Sequence, residues 1–381
     1  MVKKRPSMGR IEALNIISFN IPYPPNYGGI IDVFYKIKAL HSQGIAIYLH
    51  CFCNTPSIPE PLAAITQAVY LYPKVTSLSK LFNKKPLSVA SREHSSLVNH
   101  LKKNKAPILF EGLQTTAMLD ALSSLNRPLY LRLHNNEHLY YKGLAKSEKQ
   151  PLKKALYLLE SYKYALYQKE ILPRFDAVFC LSHKELDFAT KHNPNAFMLP
   201  IFHGNKWQPT IPPHEPYFLF HSDLSTADNK KALYEVLSVF KMLPDKTLII
   251  ASDRASTGIK KDLAQYPNVA LVPIKTHENL LHLIQSAHAN ILWSMQPTGT
   301  KVKLFNTLYH SNRVIINPNI TDDKALIQLC HLVENKETLK TLISNFNTIP
   351  PTSIAEKTSI LEKFSDAQTI LAFINTLHQL S

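Results

Sequence analysis

The sequence predicts an α/β protein built from two doubly wound parallel-sheet domains with a helical C-terminus, and three observations carry that prediction. The chain has 381 residues, enough for two or three compact domains at ~100–200 residues each. Short β-rich apolar runs alternate with segments of helical spacing along most of its length, the signature of a parallel sheet with crossover helices. Six prolines between Asn193 and Pro216 interrupt the alternation once, and it then restarts, which marks a connector between two units.

The elements follow in order. Residues 13–19 (ALNIISF) form an apolar run that ends in the loop Asn20 to Gly29, after which Ile30, Phe34, Ile37 and Leu40 recur at helical spacing. Gly44 stops that helix, and Ile45 to Phe52 reads as the next strand. Further strands are expected at 68–72, 107–110, 128–134 and 177–181, with helices near 91–103, 115–125, 149–172 and 183–192. Beyond the connector, strands at 217–221, 247–252, 269–272, 289–293 and 313–317 alternate with helices at 229–242, 257–265, 277–287 and 301–310. Helices near 335–346, 354–364 and 366–379 complete the chain.

Composition excludes several classes. Hydrophobic residues make up 45% and charged residues 19%, an ordinary globular balance rather than a disordered one. No apolar run approaches the ~20 residues of a membrane span, so neither a transmembrane helix nor a cleavable signal is expected. Cys51, Cys53, Cys180 and Cys330 are too sparse for a disulfide scaffold and lack zinc-site spacing, which predicts a reduced, cytoplasmic protein. No phosphate-loop, serine-esterase, zinc-protease or kinase motif occurs, and with only 9 glycines there is no G-x-G-x-x-G dinucleotide fingerprint.

The net charge is +15, and its distribution is uneven: residues 1–210 hold 27 basic and 13 acidic side chains, hence +14, whereas residues 211–381 hold 16 and 15, hence +1. Such asymmetry predicts an anionic partner for the N-terminal half. Within it, Lys74, Lys80, Lys84, Lys85, Arg92, Lys102, Lys103 and Lys105 face one acid, Glu93, and are interleaved with Leu78, Leu81, Phe82 and Leu87. That mixture suits an anionic bilayer, and equally a solvated helical face. Sequence-specific nucleic-acid binding is not expected, because the basic residues spread over an α/β domain without a recognition-helix motif.

Open parallel sheets bind ligands beyond the carboxyl ends of their strands, so the loops there hold the candidate site residues. Gly28 and Gly29 open a helix that also carries Asp32 and Lys36, where backbone amides could meet an anion or simply form a turn. Arg132-Leu-His134-Asn-Asn-Glu137-His138 follows a strand; His134 and Glu137 could orient a hydroxyl or exchange a proton, and a helix cap by Asn135 or Asn136 explains the run equally well. Glu111-Gly112 is a weaker signal of the same kind. In the second half, His221-Ser222-Asp223 and Ser252-Asp253-Arg254 end strands, and Thr298-Gly299-Thr300-Lys301-Val302-Lys303 carries a glycine loop into a helix with two lysines.

Taken together, the two Rossmann-like halves, the proline-rich connector and the C-terminal helices resemble the GT-B glycosyltransferases, specifically glycosyltransferase family 4 (glycosyl transferases group 1). The loop Pro24 to Gly29 with Asp32 is similar to that class's N-terminal glycine loop, and His134 matches its strand-end histidine. The segment from Lys303 through Asn306 to Ser311, Val314 and Ile315 resembles its K-x-F-E-Y-x-x-x-G-x-P-V-I stretch. The resemblance implies an acceptor domain over 1–200, a linker over 201–216, and a nucleotide-sugar donor domain over 217–365, facing one another across a cleft, with the helix 366–381 a candidate to pack back on the first. It implies transfer of a sugar from a nucleotide diphosphate sugar to an acceptor hydroxyl, in polysaccharide or glycoconjugate synthesis at the cell surface. His134 and Glu137 would act on the reacting groups; Gly28, Gly29, Ser222, Arg254, Thr298, Gly299, Lys303 and Asn306 would hold the donor.

Two departures stand out: Thr298 and Asn306 occupy the positions of the class's paired glutamates, and Ser311 that of its glycine. Neither a metal nor another cofactor is expected, since no Asp-x-Asp pair occurs. The expected partners are the nucleotide sugar, a glycan or lipid-linked acceptor, and an anionic membrane met from the cytoplasmic side. A nucleotide-sugar epimerase, and a non-catalytic nucleotide-sugar or polyanion-binding GT-B protein, are the competing readings.

Overall fold

The computed structural model describes residues 11–75, 77–207, 215–346 and 350–380, and it divides into two compact units. The first comprises residues up to Tyr141, Leu158–Gly204 and Phe364–Ser381; the second comprises Lys142–Tyr157 and Asn205–Lys363. Residues 142–157, inside the range expected for the N-terminal domain, thus cluster with the second unit, and residues 208–214 of the expected linker lie outside the described residues.

The first unit is organised on a seven-stranded parallel sheet of strands β1 (Ala13–Ser18), β2 (Ala46–Cys53), β3 (Ala68–Pro73), β4 (Ile108–Glu111), β5 (Leu129–Leu133), β6 (Ala177–Cys180) and β7 (Ala196–Met198), in the order β3-β2-β1-β4-β5-β6-β7. The inner strands are buried on both faces, which is why they read as continuous apolar runs. Helix Gly28–Ser42 buries Ile30, Val33, Ile37 and Leu40 against one face. The final helix, Asp366–Gln379, packs beside it, setting Ile370, Phe373 and Leu377 into the same core, with Phe373 edge-on to Phe179 at 4.8 Å. The Asp366 carboxylate ties its start down by accepting from the backbone amides of His203 and Gly204, both at 2.9 Å.

The second unit holds a six-stranded parallel sheet, β10-β9-β8-β11-β12-β13, from β8 (Glu215–His221), β9 (Thr247–Ala251), β10 (Val269–Val272), β11 (Ala287–Leu292), β12 (Val314–Ile316) and β13 (His331–Leu332). Helix Ala227–Phe240 presents Leu233, Val236, Val239 and Phe240 to this sheet. In each sheet the strand order reverses at one place, between β1 and β4 and between β8 and β11. Reversal diverges the flanking crossover helices and leaves a crevice at the strands' carboxyl ends. Ser18 and Glu111 end there in the first unit, His221 and Leu292 in the second.

No helix among the described residues is long and apolar enough to cross a membrane. The four cysteines are free thiols, with Cys51, Cys53 and Cys180 buried.

Candidate active site

At the first unit's reversal, four charged side chains with no exposed surface form a closed lattice. Lys36 Nζ donates to both Glu111 oxygens at 2.7 and 2.9 Å and to Asp32 Oδ2 at 3.1 Å. Arg132 grips both Asp32 oxygens at 3.0 Å and donates onward to the carbonyls of Leu199 and Pro200. Two acids against two bases leave no net charge, which is what permits burial. Burial would raise the Asp32 pKa, but Arg132 and Lys36 hold it well below the usual carboxylate range; burial likewise opposes, and Lys36 and His134 overcome, for Glu111. Asp32, Glu111 and His134 bring ligand atoms close enough together for a metal ion, but Lys36 Nζ already occupies the place between the two carboxylates.

The lattice fixes His134, the histidine singled out by sequence. Its Nε2 lies 3.0 Å from Glu111 Oε2, so Nε2–H donates to the carboxylate and Nδ1 remains the acceptor nitrogen. The Phe19 ring meets His134 edge-on at 5.6 Å, and a Cβ on Gly29 would come within 2.7 Å of that ring. Gly28, Gly29 and His134 are therefore brought together, with Phe19 between them. The helix beginning at Gly28 has no side-chain cap and no acid in its first turn, so its leading amides remain available to an anion.

Glu137 departs from expectation. It is only 2% exposed and accepts from Gln114 Nε2 at 2.9 Å, so it is enclosed behind the strand ends rather than offered to a ligand. Burial, with help from the Glu185 charge, pushes its pKa up to about 7 against the Gln114 bond. The polar run 135–138 is largely structural: Asn136 Oδ1 accepts from Leu139 N and Gln168 Nε2, and His138 pairs with Ser161.

In the second unit the loop after β11 carries the densest arrangement. Ser294 and Asn317 lock its entry, Gly299 adopts φ +66°, and helix Val302–His310 begins without a side-chain cap. Lys303 Nζ has one carbonyl partner, Trp293 O at 3.3 Å, and lies 5.8 Å from the Phe220 ring centre. Its surroundings lower its pKa to about 8, chiefly through burial and then Lys301, with Asp228 opposing. Burial, then Lys303, holds the neighbouring His221 down to about 3, a neutral imidazole beside the ammonium. Gln296 and Thr298 are 4% and 2% exposed, yet both amide atoms of Gln296 and the Thr298 hydroxyl find no hydrogen-bond partner in the protein. Gly143 is what admits Gln296, since a Cβ there would overlap the carboxamide.

The remaining expected donor residues are less committed to a ligand. Asn306 Oδ1 already accepts from Asn205 Nδ2 at 3.0 Å, Ser222 is half-buried, and Arg254 is an exposed side chain paired with exposed Asp223 at 3.3 Å. Ser311 accepts its place without strain because its φ is −144°, ordinary extended backbone that needs no glycine. Asp32, Lys36, Glu111 and Arg132 appear in the sequence as separate polar residues; their mutual contact spans up to 100 positions and leaves no local signal. Gln296 carries no sequence signal either.

No protein-family model matches the chain. A protein of Klebsiella pneumoniae described as an uncharacterized 44.6 kDa protein in cps region is 27% identical over 318 residues, covering 80% of this chain and 76% of that one. Among solved structures, the Anabaena protein HepE in complex with UDP and glucose superposes with a TM-score of 0.63 at 12% identity, covering 96% of this chain and 99% of its own. TarM gives 0.65 at 13% identity, with 96% and 98% covered. The pneumococcal O-GlcNAc transferase GtfA in complex with UDP and GlcNAc gives 0.63 at 10%, with 97% and 99% covered. The fold is GT-B, as the sequence predicts.

Proposed function

We propose that the protein is a glycosyltransferase that moves a hexose from a nucleotide diphosphate sugar to an acceptor hydroxyl during synthesis of a surface polysaccharide or glycoconjugate. One observation carries the reading: at the crevice of the second sheet, buried but unpartnered Gln296 and Thr298 adjoin an uncapped helix N-terminus that bears Lys303. Three unsatisfied buried polar atoms would each cost ~1–3 kcal/mol without a partner, so the site is shaped for something that hydrogen-bonds. A partly desolvated ammonium and open amides suit a diphosphate; a neutral carboxamide and hydroxyl suit sugar hydroxyls, each of which donates and accepts. HepE and GtfA, which share the fold, are complexed with UDP and a sugar, and the Klebsiella relative is described from a cps region.

In this reading the chemistry needs no metal. Lys303 and the leading amides of helix Val302–His310 stabilise the negative charge that develops on the leaving diphosphate, while His221 stays a neutral imidazole. In the first unit, Glu111 holds His134 in one tautomer, leaving Nδ1 to accept a hydrogen bond from a hydroxyl. Glu137, enclosed, positions the strand-end loop through Gln114 and does not touch substrate. The +14 N-terminal half extends the proposal to location, with the acceptor met at an anionic membrane surface.

The second reading, a non-catalytic nucleotide-sugar-binding protein, draws on Thr298 standing where a carboxylate would serve the sugar. Calorimetry with UDP, ADP, GDP and TDP, followed by incubation of the matching nucleotide hexoses with and without a lipid-linked oligosaccharide pool, separates them. Transferase function predicts binding and acceptor-dependent release of the nucleoside diphosphate; binding without release in any combination supports the second reading; no binding rejects both.

A further inference from the structure

Helix Pro151–Ile171 is amphipathic in the inverted sense. Its inward face carries Glu160, Ser161, Tyr164, Tyr167 and Gln168, all buried: Glu160 Oε2 accepts from Leu87 N at 2.8 Å, Ser161 donates to His138 O at 2.9 Å, and Gln168 donates to Asn136 Oδ1 at 3.1 Å. Its outward face is the apolar one. Leu159, Tyr162 and Leu166 recur at spacings of three and four and are 44%, 64% and 56% exposed, with Leu158 at 50% beside them and Leu152 at 86% further toward the helix start. Phe82, 91% exposed, belongs to the same surface, because Lys163 on this helix donates to the neighbouring Leu81 carbonyl at 2.6 Å.

Lysines flank the stripe: Lys154 and Lys169 are exposed on the helix and Lys84 follows Phe82, with Glu170 the exposed acid on the helix. A second copy of this chain would bring the same lysines against one another, which disfavours a symmetric pair. The tract Lys74–Lys105, where the sequence suggests a membrane contact, is partly committed elsewhere: Lys80 pairs with Glu93 at 2.9 Å, Lys85 donates to Ala117 O at 2.8 Å, and Arg92 to Phe19 O at 3.1 Å.

We propose that the outward stripe Leu158, Leu159, Tyr162 and Leu166, together with Phe82, is the surface that seats the protein on an anionic lipid bilayer, apolar side chains entering the headgroup boundary and the surrounding lysines meeting lipid phosphates. The chemistry is that of an interfacial helix, apolar on the lipid side with cationic flanks. This inference names the partner surface for the proposed transferase and rests on that reading for its purpose, but the contact itself requires no nucleotide sugar.

Sedimentation of the full chain with phosphatidylcholine vesicles, with and without phosphatidylglycerol, tests it. Wild type is expected to pellet with the anionic vesicles, stay in solution with neutral ones, and come off as salt shortens the screening length to a few ångström. Leu159→Glu and Tyr162→Glu, each checked by circular dichroism for an unchanged fold, are expected to weaken partitioning at least ~10-fold, while leaving nucleotide binding at the wild-type value. Wild type that ignores anionic vesicles overturns the proposal. So do variants that pellet as wild type does, or a wild-type dimer in sedimentation equilibrium that the same substitutions dissolve. Failure here with intact nucleotide binding leaves the transferase reading standing; loss of both assays in wild type removes the two together.

Discussion

Replacing Lys303 tests the donor site through its own ionisation. Burial, then Lys301, lowers its pKa from 10.5 to about 8. A diphosphate against the ammonium reverses that and returns it toward the ordinary ~10.4, a change of ~2.4 units or ~3 kcal/mol at ~1.36 kcal/mol per unit. This upper bound sits close to the ~1.5–3 kcal/mol of a hydrogen bond to a charged group, so Lys303→Ala is expected to weaken nucleoside diphosphate binding ~10- to 150-fold. The sign follows from linkage. The bound pKa lies above the free one, so the Lys303 contribution is fully present below about pH 8 and declines up to ~10-fold per unit above it. At pH 8 the free side chain is about half protonated, so binding takes up roughly half a proton. Calorimetry between about pH 7 and about pH 9.5, in buffers of different ionisation enthalpy, reads affinity and uptake together. Lys303→Arg should bind with a flat profile over that range. Equal affinity in Lys303→Ala, or no proton uptake by wild type near pH 8, refutes the assignment.

Other residues give separate tests. Glu137 has its pKa raised from 4.5 to about 7, so the stability it removes is absent below about pH 4.5 and complete above about pH 7. Glu137→Gln is expected to raise stability in urea melts by up to ~3 kcal/mol at pH 8 and to leave it unchanged at pH 4; equal shifts at both would contradict the burial argument. Glu111→Gln strips Lys36 of its bidentate partner where both side chains are fully buried, and a loss of ~3–5 kcal/mol in the same melts is expected, with a near-neutral result showing that the lattice does not hold the crevice. Gly29→Ala drives a methyl into the Phe19 ring, expected to cost ~1–3 kcal/mol and to shift the His134 ring resonances in NMR, because the ring that yields is the one against His134.

Most of the framework was legible because parallel sheets buried on both faces leave strong local patterns. The strands expected at 107–110, 217–221 and 269–272 fall within a residue or two of β4, β8 and β10. What escaped was short or locally ambiguous. Strands β7 and β13, three and two residues long, carry too little sequence to register a period. Helix Glu137–Ser147 hides behind a polar start and an internal glycine, Gly143, whose purpose is to make room for Gln296. The helices expected at 91–103 and 115–125 are shorter, Ser95–Leu101 and Leu119–Ser123.

The candidate site was legible residue by residue and not as an assembly. Strand-end logic picked out His134 and Lys303, because a doubly wound sheet delivers those loops to its crevice. It also picked Glu137 and Arg254, polar and strand-terminal like the others, since sequence position does not report whether a side chain turns into the core or pairs with a neighbour such as Asp223. The lattice that holds His134 joins residues 32, 36, 111 and 132, and only three-dimensional closure brings them into contact. The apolar outer face of helix Pro151–Ile171 is invisible to periodicity alone, which assigns the leucines inward by default.

The central claim, that the carboxyl end of the second sheet is a nucleotide-sugar donor site, is tested most directly by a crystal structure of the protein with a bound nucleotide hexose. The account predicts the diphosphate at the start of helix Val302–His310 within hydrogen-bond reach of Lys303 Nζ, and sugar hydroxyls satisfying Gln296 and Thr298. A nucleotide seated instead wholly in the ~440 Å³ hollow beside Ser252, Lys260 and Leu271, with Gln296 and Thr298 still unpartnered, would contradict it.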